Sequence, residues 1–247
     1  MITLQPYGRF GNNVQQFINA IAIAEHKNIP IVKYRFPNFS NNTLRIQYDT
    51  KRDLNYSKLS DTFYNIPDPL EFKEKQRIAR KYLLPILKYY KLPTRFEDYY
   101  TSALFVHIRS GDLFKNEVVH PDYTQPPLAY YTKIFSMEQD RKILVFYEDD
   151  ANPVVNALKK LYPSAEFYFV PLVVLITIFM NAQHIVNNVG TLIQSIVCFN
   201  TNVKKIYSTT EIIPNKTIVI DLPNYIRIWK NTEEQRSMML TYTLTDI

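Results

Sequence analysis

Residues 104–112, LFVHIRSGD, decide how the rest of the chain reads. Ala103, Phe105, Val106 and Ile108 make an apolar run of strand length. That run delivers His107 and Arg109 toward its carboxyl end and turns at Ser110–Gly111–Asp112. In open α/β sheets, ligands sit in the crevice outside such strand ends. Arginine suits a diphosphate because its planar fork donates two parallel hydrogen bonds and never loses its charge. The same nine residues also fit a strand end with a surface arginine and a solvated aspartate.

Glycine usage separates these readings. The chain of 247 residues holds only four glycines: Gly8, Gly11, Gly111 and Gly190. Each follows an apolar run of strand character. A chain this sparing makes ordinary turns from Asn, Asp and Pro. The glycines it keeps are expected where the backbone needs a positive φ or a close approach to a ligand. YGRFGNN, HIRSGD and NNVGTL then point to one shared site.

Composition bounds the function. Hydrophobic residues make up 46% of the chain, enough for a sizeable core. The 19 tyrosines suit a surface that binds hydroxyl-rich ligands, and equally an AT-rich coding bias. A net charge of +6 favours an anionic ligand. The Lys and Arg are scattered, with no basic block of the kind that tracks a nucleic-acid backbone, so no nucleic acid is expected as a partner. The single cysteine, Cys198, lies in an apolar run and excludes an internal disulfide or a cysteine-built metal site. Met1–Phe10 lacks a basic region followed by an apolar one, and the longest uncharged apolar run, 167–180, is interrupted by Pro171. No signal peptide and no transmembrane segment are expected, and the expected compartment is the cytoplasm.

In order, Met1–Gln5 reads as a strand, then the glycine loop, then a helix with Val14, Phe17, Ile18, Ile21 and Ala24 on one face. The N-terminus of that helix offers unpaired N–H groups to a phosphate or a sugar hydroxyl. Ile29–Tyr34 reads as a second strand and 35–56 as an irregular loop. Glu71–Tyr90 reads as an amphipathic helix burying Ile78, Tyr82, Leu83, Ile86 and Leu87, with Pro85 as a kink. A domain boundary is expected near residue 98, giving domains 1–98 and 99–247.

The second half alternates. Strands are expected at 103–109, 142–147, 165–170, 184–188 and 203–207, and helices at 126–137, 153–162, 173–183 and 190–199. A closing helix is expected at 225–242, free to pack back on the first domain. Strands alternating with crossover helices imply an α/β fold with a parallel, doubly wound sheet.

With these motifs placed, the chain resembles the fucosyltransferase superfamily of alpha-1,2-, alpha-1,6- and protein O-fucosyltransferases. The likeness rests on GRFGN at 8–12, HIRSGD at 107–112, KILVFYEDD at 142–150 with LYPSAEFYF behind it, and AQHIVNNVGTLIQSIVCF at 182–199. It implies a GT-B-type fold, two Rossmann-like domains with mostly parallel sheets facing a central cleft. It also implies an inverting, metal-independent glycosyltransferase. Fucose or a related deoxy sugar would pass from a nucleotide diphosphate donor, GDP-linked, to a glycan hydroxyl, leaving GDP as product and using no cofactor.

By the same resemblance, Arg109 would hold the β-phosphate, and His107 with one carboxylate of Asp149–Asp150 would meet the base. Gly190 and Thr191 would lie against the phosphates. Arg9, Gly11 and Asn12 would reach the donor from the other domain. Glu117 would be the acceptor base, with Asp112 and Asp122 as rivals, of which Asp112 fits better as a brace for the turn. His120 and His184 read as structural. Leu192 and Ile193, where the family often carries Phe and Ser, leave GDP-rhamnose or UDP-xylose as alternative donors. A non-catalytic glycan- or nucleotide-binding module of the same fold is the competing reading. A Rossmann dehydrogenase is disfavoured, because no G-x-G-x-x-G follows any strand.

Overall fold

The computed structural model describes residues 2–4, 8–27, 29, 31–35, 43–47, 70–87, 94–116 and 118–244. Its contacts divide the chain into two units. The first comprises 1–89 with 194–199, and the second 90–193 with 200–247.

In the first unit, β1 (Ile2–Thr3) leads to α1 (Phe10–His26) and β2 (Ile31–Arg35), and β1 and β2 pair in parallel. This is a β-α-β unit, and α1 buries Val14, Phe17, Ile18, Ile21 and Ala24 as their spacing predicts. The stretch expected as an irregular loop carries a strand, β3 (Thr43–Gln47), antiparallel to β2. Its Thr-Leu-Arg-Ile-Gln sequence does alternate, but five residues between polar runs are too few to declare a period.

The amphipathic run after residue 70 is one continuous helical stretch of mixed pitch. It consists of α2 (Phe72–Ile78), a π-helical segment Ala79–Leu83, and α3 (Leu84–Leu87). Pro85 has no N–H to give the preceding turn, and the wider π turn absorbs that loss without ending the helix. Ile78 and Leu83 are buried as expected, whereas Tyr82 is half-exposed and donates to Glu25 at 2.9 Å. The side chains of Ile86 and Leu87 lie outside those described.

The second unit is the α/β half that the sequence pattern predicts. A 3₁₀ turn (Thr94–Tyr99) precedes β4 (Leu104–Ile108). Then follow α4 (Asp112–Lys115), α5 (Leu128–Met137), β5 (Ile143–Tyr147), α6 (Pro153–Leu161), β6 (Glu166–Tyr168) and α7 (Leu172–Phe179). The chain goes on through β7 (His184–Val186), α8 (Thr191–Ile196), whose residues from Gln194 on belong to the first unit, and then β8 (Lys205–Ser208), β9 (Thr217–Val219) and α9 (Glu233–Thr241).

All strand pairs of its six-stranded sheet are parallel, in the order β6-β5-β4-β7-β8-β9. Counted from β4, this is the doubly wound order 3-2-1-4-5-6. The two faces have different characters. Leu104, Val106 and Ile108 of β4 join Val145, Val186 and Tyr207 under α5, α6 and α9. Phe105 and His107 point the other way, into an aromatic layer with Phe146 and with Phe179 of α7.

Several boundaries differ from expectation for local reasons. β9 is a strand that three residues of alternation could not announce. α8 stops at Ile196, and tight bonds from Cys198 N–H to Ser195 and from Phe199 N–H to Ile196 replace the expected last turn. α7 ends at Phe179, where Asn200 Nδ2 donates to the carbonyls of Phe179 and Ala182, each at 2.8 Å. The closing helix starts only at Glu233, capped by Thr232. Asn224 and Asn231 hold φ near +60°, which breaks any earlier helix. α9 packs on α5 and α6 of its own unit, with Met239 fully buried there. Among the described residues, no helix is long and apolar enough to cross a membrane.

The amino end of the sheet carries a compact charge cluster. Glu138 is 7% exposed and accepts from Arg141 Nε at 2.5 Å, Lys205 Nζ at 2.8 Å and Tyr207 Oη at 2.6 Å. Burial opposes its charge, but the three donors outweigh it and hold the carboxyl at about 2. His184 lies beside them, 6% exposed, with Nδ1 buried and without a partner among the described residues. Burial and the cations Arg141, Lys205 and Lys204 push its pKa down, against the pull of Glu138.

Both shifts make the folded state bind fewer protons than the unfolded chain, so each loses stability as pH falls. The His184 contribution is present above its ordinary value of 6.5 and fades below it. The Glu138 contribution is present above 4.5 and fades toward about 2. Urea unfolding at stepped pH should therefore show two losses, and His184→Gln should remove the upper one alone. Glu138→Gln should cost about 1–2 kcal/mol at neutral pH, because it weakens the hydrogen bonds to a nearly buried carboxylate whose cationic partners, Arg141 and Lys205, stay partly open to solvent.

Candidate functional site

The switch point of the sheet lies between β4 and β7, the neighbours at which the strand order reverses. Crevices at such points are where open α/β sheets hold their ligands. Two of the three glycine-bearing motifs come together there. Arg109 follows the last residue of β4, and Gly190 stands four residues past the end of β7. A Cβ built on Gly190 would lie 2.7 Å from Arg109 Nη1, and the backbone there has φ +104°. Only glycine combines that conformation with so close an approach.

The Arg109 side chain is 11% exposed. Its guanidinium lies over the Tyr123 ring, 4.4 Å from Cζ to centroid. Nη2 donates to Asp112 Oδ2 at a long 3.5 Å, and Nε is buried with no partner among the described residues. The result is a nearly buried cation with little of its donor capacity used.

The turn after β4 is held by residues of the next β-α unit. Ser110 is fully buried, and its Oγ donates to Asp149 Oδ1 while accepting from Asn152 N–H at 3.0 Å. Asp149 also accepts from the N–H groups of Gly111 at 3.4 Å and Ala151 at 3.0 Å, and pairs with Lys115 Nζ at 2.5 Å. Burial works against the Asp149 charge, yet Lys115, Ser110 and the two backbone donors hold the carboxyl at about 2. Asn152 donates from Nδ2 to the Arg109 carbonyl at 3.0 Å and caps α6 by accepting from Val154 N–H at 3.0 Å. Glu148 accepts from Ser110 N–H at 3.3 Å. Gly111, with φ +58°, then turns the chain into α4.

The opposite wall is tied just as closely. Tyr130 of α5 donates its hydroxyl to the Asn187 carbonyl at 2.8 Å. Asn187 Nδ2 reaches Ser208 Oγ at 3.2 Å, and Asn188 Nδ2 reaches the Tyr131 hydroxyl at 3.0 Å. Burial pushes both tyrosine hydroxyls well up, so they act as fixed neutral partners.

The sequence-expected residues fall into distinct places. Arg109, Asp112, Asp149 and Gly190 gather at the switch point. Thr191 opens α8, a helix of only six residues. Asp150 is an exposed carboxylate paired with Lys159 Nζ at 2.8 Å. Asp149 accepts from the side chains of Ser110 and Lys115 and so braces the turn. His107 is 2% exposed, with its ring edge-on to Phe179. His184 is the core histidine expected, and His120 is exposed. Glu117 lies outside the described residues.

The remaining trio belongs to the first unit. Arg9 is the exposed N-cap of α1, and Gly11 and Asn12 sit in its first turn. Asn13, unremarked in the sequence, closes the loop by donating from Nδ2 to the carbonyls of Gly8 at 3.0 Å and Arg9 at 2.7 Å. Within the same unit, Ser195 Oγ donates to the Gly11 carbonyl at 2.9 Å.

Sequence reasoning missed Tyr123, Asn152 and Lys115. Asn152 had a legible signal, an Asn immediately before Pro153 at a helix start. Tyr123 had none. Among the described residues, no group of three or more His, Cys, Asp and Glu side chains gathers as a metal site would require.

No family model matches the chain, and no curated protein matches it in sequence. Among solved structures it is similar to the E. coli heptosyltransferase WaaC with ADP-2-deoxy-2-fluoro heptose, at 11% identity and a TM-score of 0.39. That match covers 67% of this chain and 53% of the other, so the chain spans about half the length of that enzyme. It is also similar to POFUT1 in complex with GDP-fucose, at 13% identity and a TM-score of 0.43, covering 89% of this chain and 96% of that one.

Proposed function

We propose that the chain is an inverting glycosyltransferase of GT-B type that takes a nucleoside diphosphate sugar, GDP-linked, and glycosylates a glycan hydroxyl without a metal. One observation carries this reading. A nearly buried arginine with unused donors stands at the switch point of a parallel sheet, against a glycine that lets the chain approach it. The resemblance of HIRSGD and NNVGTL to the fucosyltransferase motifs supports the same ligand.

The chemistry follows from charge. The acceptor oxygen bonds to the anomeric carbon as the bond from that carbon to the β-phosphate oxygen breaks. The acceptor proton passes to a carboxylate, and Glu117 is proposed for that task, with Asp112 as its rival. Negative charge gathers on the departing diphosphate, where Arg109 meets it. A contact that tightens as charge develops raises turnover as well as affinity. Asp150 is proposed as the carboxylate that accepts from the N1–H and amine of guanine, a pair that uracil does not offer. Arg9, Gly11, Asn12 and Thr191 are proposed as further donor contacts.

Arg109→Ala should lower kcat/KM for donor turnover at least about 10²-fold, the scale of losing one preorganised donor at a developing anion. Arg109→Lys should recover only part of this, since it keeps charge without the fork. Gly190→Ala should also weaken donor binding, because its methyl group displaces Nη1. Near-normal turnover in a well-folded Arg109→Ala protein defeats the proposal. Absence of donor hydrolysis in the unmodified protein would instead mark a binding module.

Ligand binding to the folded state raises its melting temperature. GDP should raise it more than UDP does, and Asp150→Asn should erase that difference. EDTA should leave turnover unchanged. Equal shifts with the two nucleotides remove the guanine argument, and manganese-dependent rescue after EDTA removes the metal-free mechanism.

Glu117→Gln should lower kcat strongly, with little change in GDP affinity, because it removes only the ability to take a proton. Unchanged kcat moves the role away from Glu117.

A further inference from the structure

We infer that Tyr123 is a positioning residue for the diphosphate subsite, holding the Arg109 guanidinium by its face so that its N–H edge stays open for phosphate. The inference rests on the proposed function and deepens it. An arginine poised for an anion faces two opposed demands. It must be held still before the ligand arrives, since freezing a long side chain on binding costs affinity. It must also not be held by a strong anion, which would occupy the fork. A carboxylate partner meets the first demand and fails the second. An aromatic face meets both, because the ring attracts the cation through its quadrupole while taking none of its N–H donors.

The geometry matches that solution. Asp112 reaches Arg109 only at 3.5 Å and is itself 41% exposed, a weak tether. The Tyr123 ring covers the guanidinium at 4.4 Å, and Gly190 bounds its Nη1 side. Tyr123 is itself strapped down. Gln125, fully buried, donates from Nε2 to the Tyr123 carbonyl at 2.8 Å. Tyr225 Oη donates to the Gln125 carbonyl at 2.9 Å, and Trp229 N–H donates to the Pro121 carbonyl at 2.9 Å. The His120 ring lies 5.0 Å from that of Tyr123. A loop residue receives this many ties where its position matters.

Calorimetric titration of the full chain with GDP and, separately, with inorganic pyrophosphate tests this role. Tyr123→Leu should weaken both ligands about tenfold, within the range of a desolvated cation–π contact. Tyr123→Phe keeps the ring face and should bind within about twofold of the unmodified protein. In an Arg109→Ala background, Tyr123→Leu should add nothing. Where Tyr123→Leu lowers the unliganded melting temperature, Tyr123→Met serves in its place with the same expectation. Normal binding by the Leu or Met variant, alongside weakened binding by Arg109→Ala, overturns the role of Tyr123 and leaves the proposed function standing. Equal losses in Tyr123→Phe and Tyr123→Leu overturn it too, since the face would not be what matters. Normal binding of both ligands by Arg109→Ala, or no binding by the unmodified protein, removes the diphosphate subsite and this inference together.

Discussion

A single carboxylate organises the carboxyl edge of the sheet. Asp149 gathers the Ser110 hydroxyl, the N–H groups of Gly111 and Ala151, and the Lys115 ammonium. These donors come from the turn after β4, from α4 that follows it, and from the entrance to α6, so one charge joins the β4 turn to a segment 38 to 39 residues further along the chain. Without it, Gly111 would keep only the bonds that its carbonyl accepts from Phe114 and Lys115 N–H, and its own N–H would lose the Asp149 acceptor. Arg109, one residue upstream of that turn, would inherit the looser backbone. Asn152 adds a second clamp from the same β-α unit by holding the Arg109 carbonyl. The backbone of Arg109 is thus fixed from below, while its side chain is left to weaker partners.

The two ends of the sheet treat buried charge in opposite ways. At the amino end, Glu138 has three donors around it and is satisfied within the protein. At the carboxyl end, Arg109 has, among the described residues, one long contact to a carboxylate and a buried Nε with no partner. Buried charges are ordinarily paired and hydrogen-bonded because leaving them otherwise is costly. Around Glu138 three donors meet the charge, although the neighbouring His184 Nδ1 has no partner among the described residues. The unsaturated arginine at the switch point is therefore informative in a way that a surface arginine would not be.

The legible part of this fold was the part with long-range regularity. Apolar runs separated by helical spacing made the second unit readable, including the strand order's parallel character, because crossover helices leave no other pairing. Arg109 and Gly190 were readable because scarce glycine marks positions where a side chain is forbidden. What escaped was decided by partners distant in sequence. Nothing near residue 123 says that Trp229 and Tyr225 will pin its loop onto Arg109. His107 and Asp149 were read by motif position alone. The structure places His107 in the aromatic layer and Asp149 at the turn, contacts that their motif position does not announce. The abundant tyrosines, readable as a sugar-binding surface, include Tyr130, Tyr131 and Tyr225, whose hydroxyls close hydrogen bonds inside the second unit.

These tyrosines explain how a chain with so few glycines and so much polar backbone near a cleft remains satisfied. A strand that ends early leaves carbonyl and amide groups without a ladder partner, and each must be met. β7 ends at Val186, and the next residues place Asn187 and Asn188 in buried positions. Tyrosine reaches them from α5 with an apolar body that packs and a hydroxyl that bonds, so the core need not open to water. The strand can therefore stop short and let Gly190 swing toward Arg109, with the helix behind it supplying the missing partners. The close approach at the switch point is in this sense a product of α5, an element that touches no expected ligand.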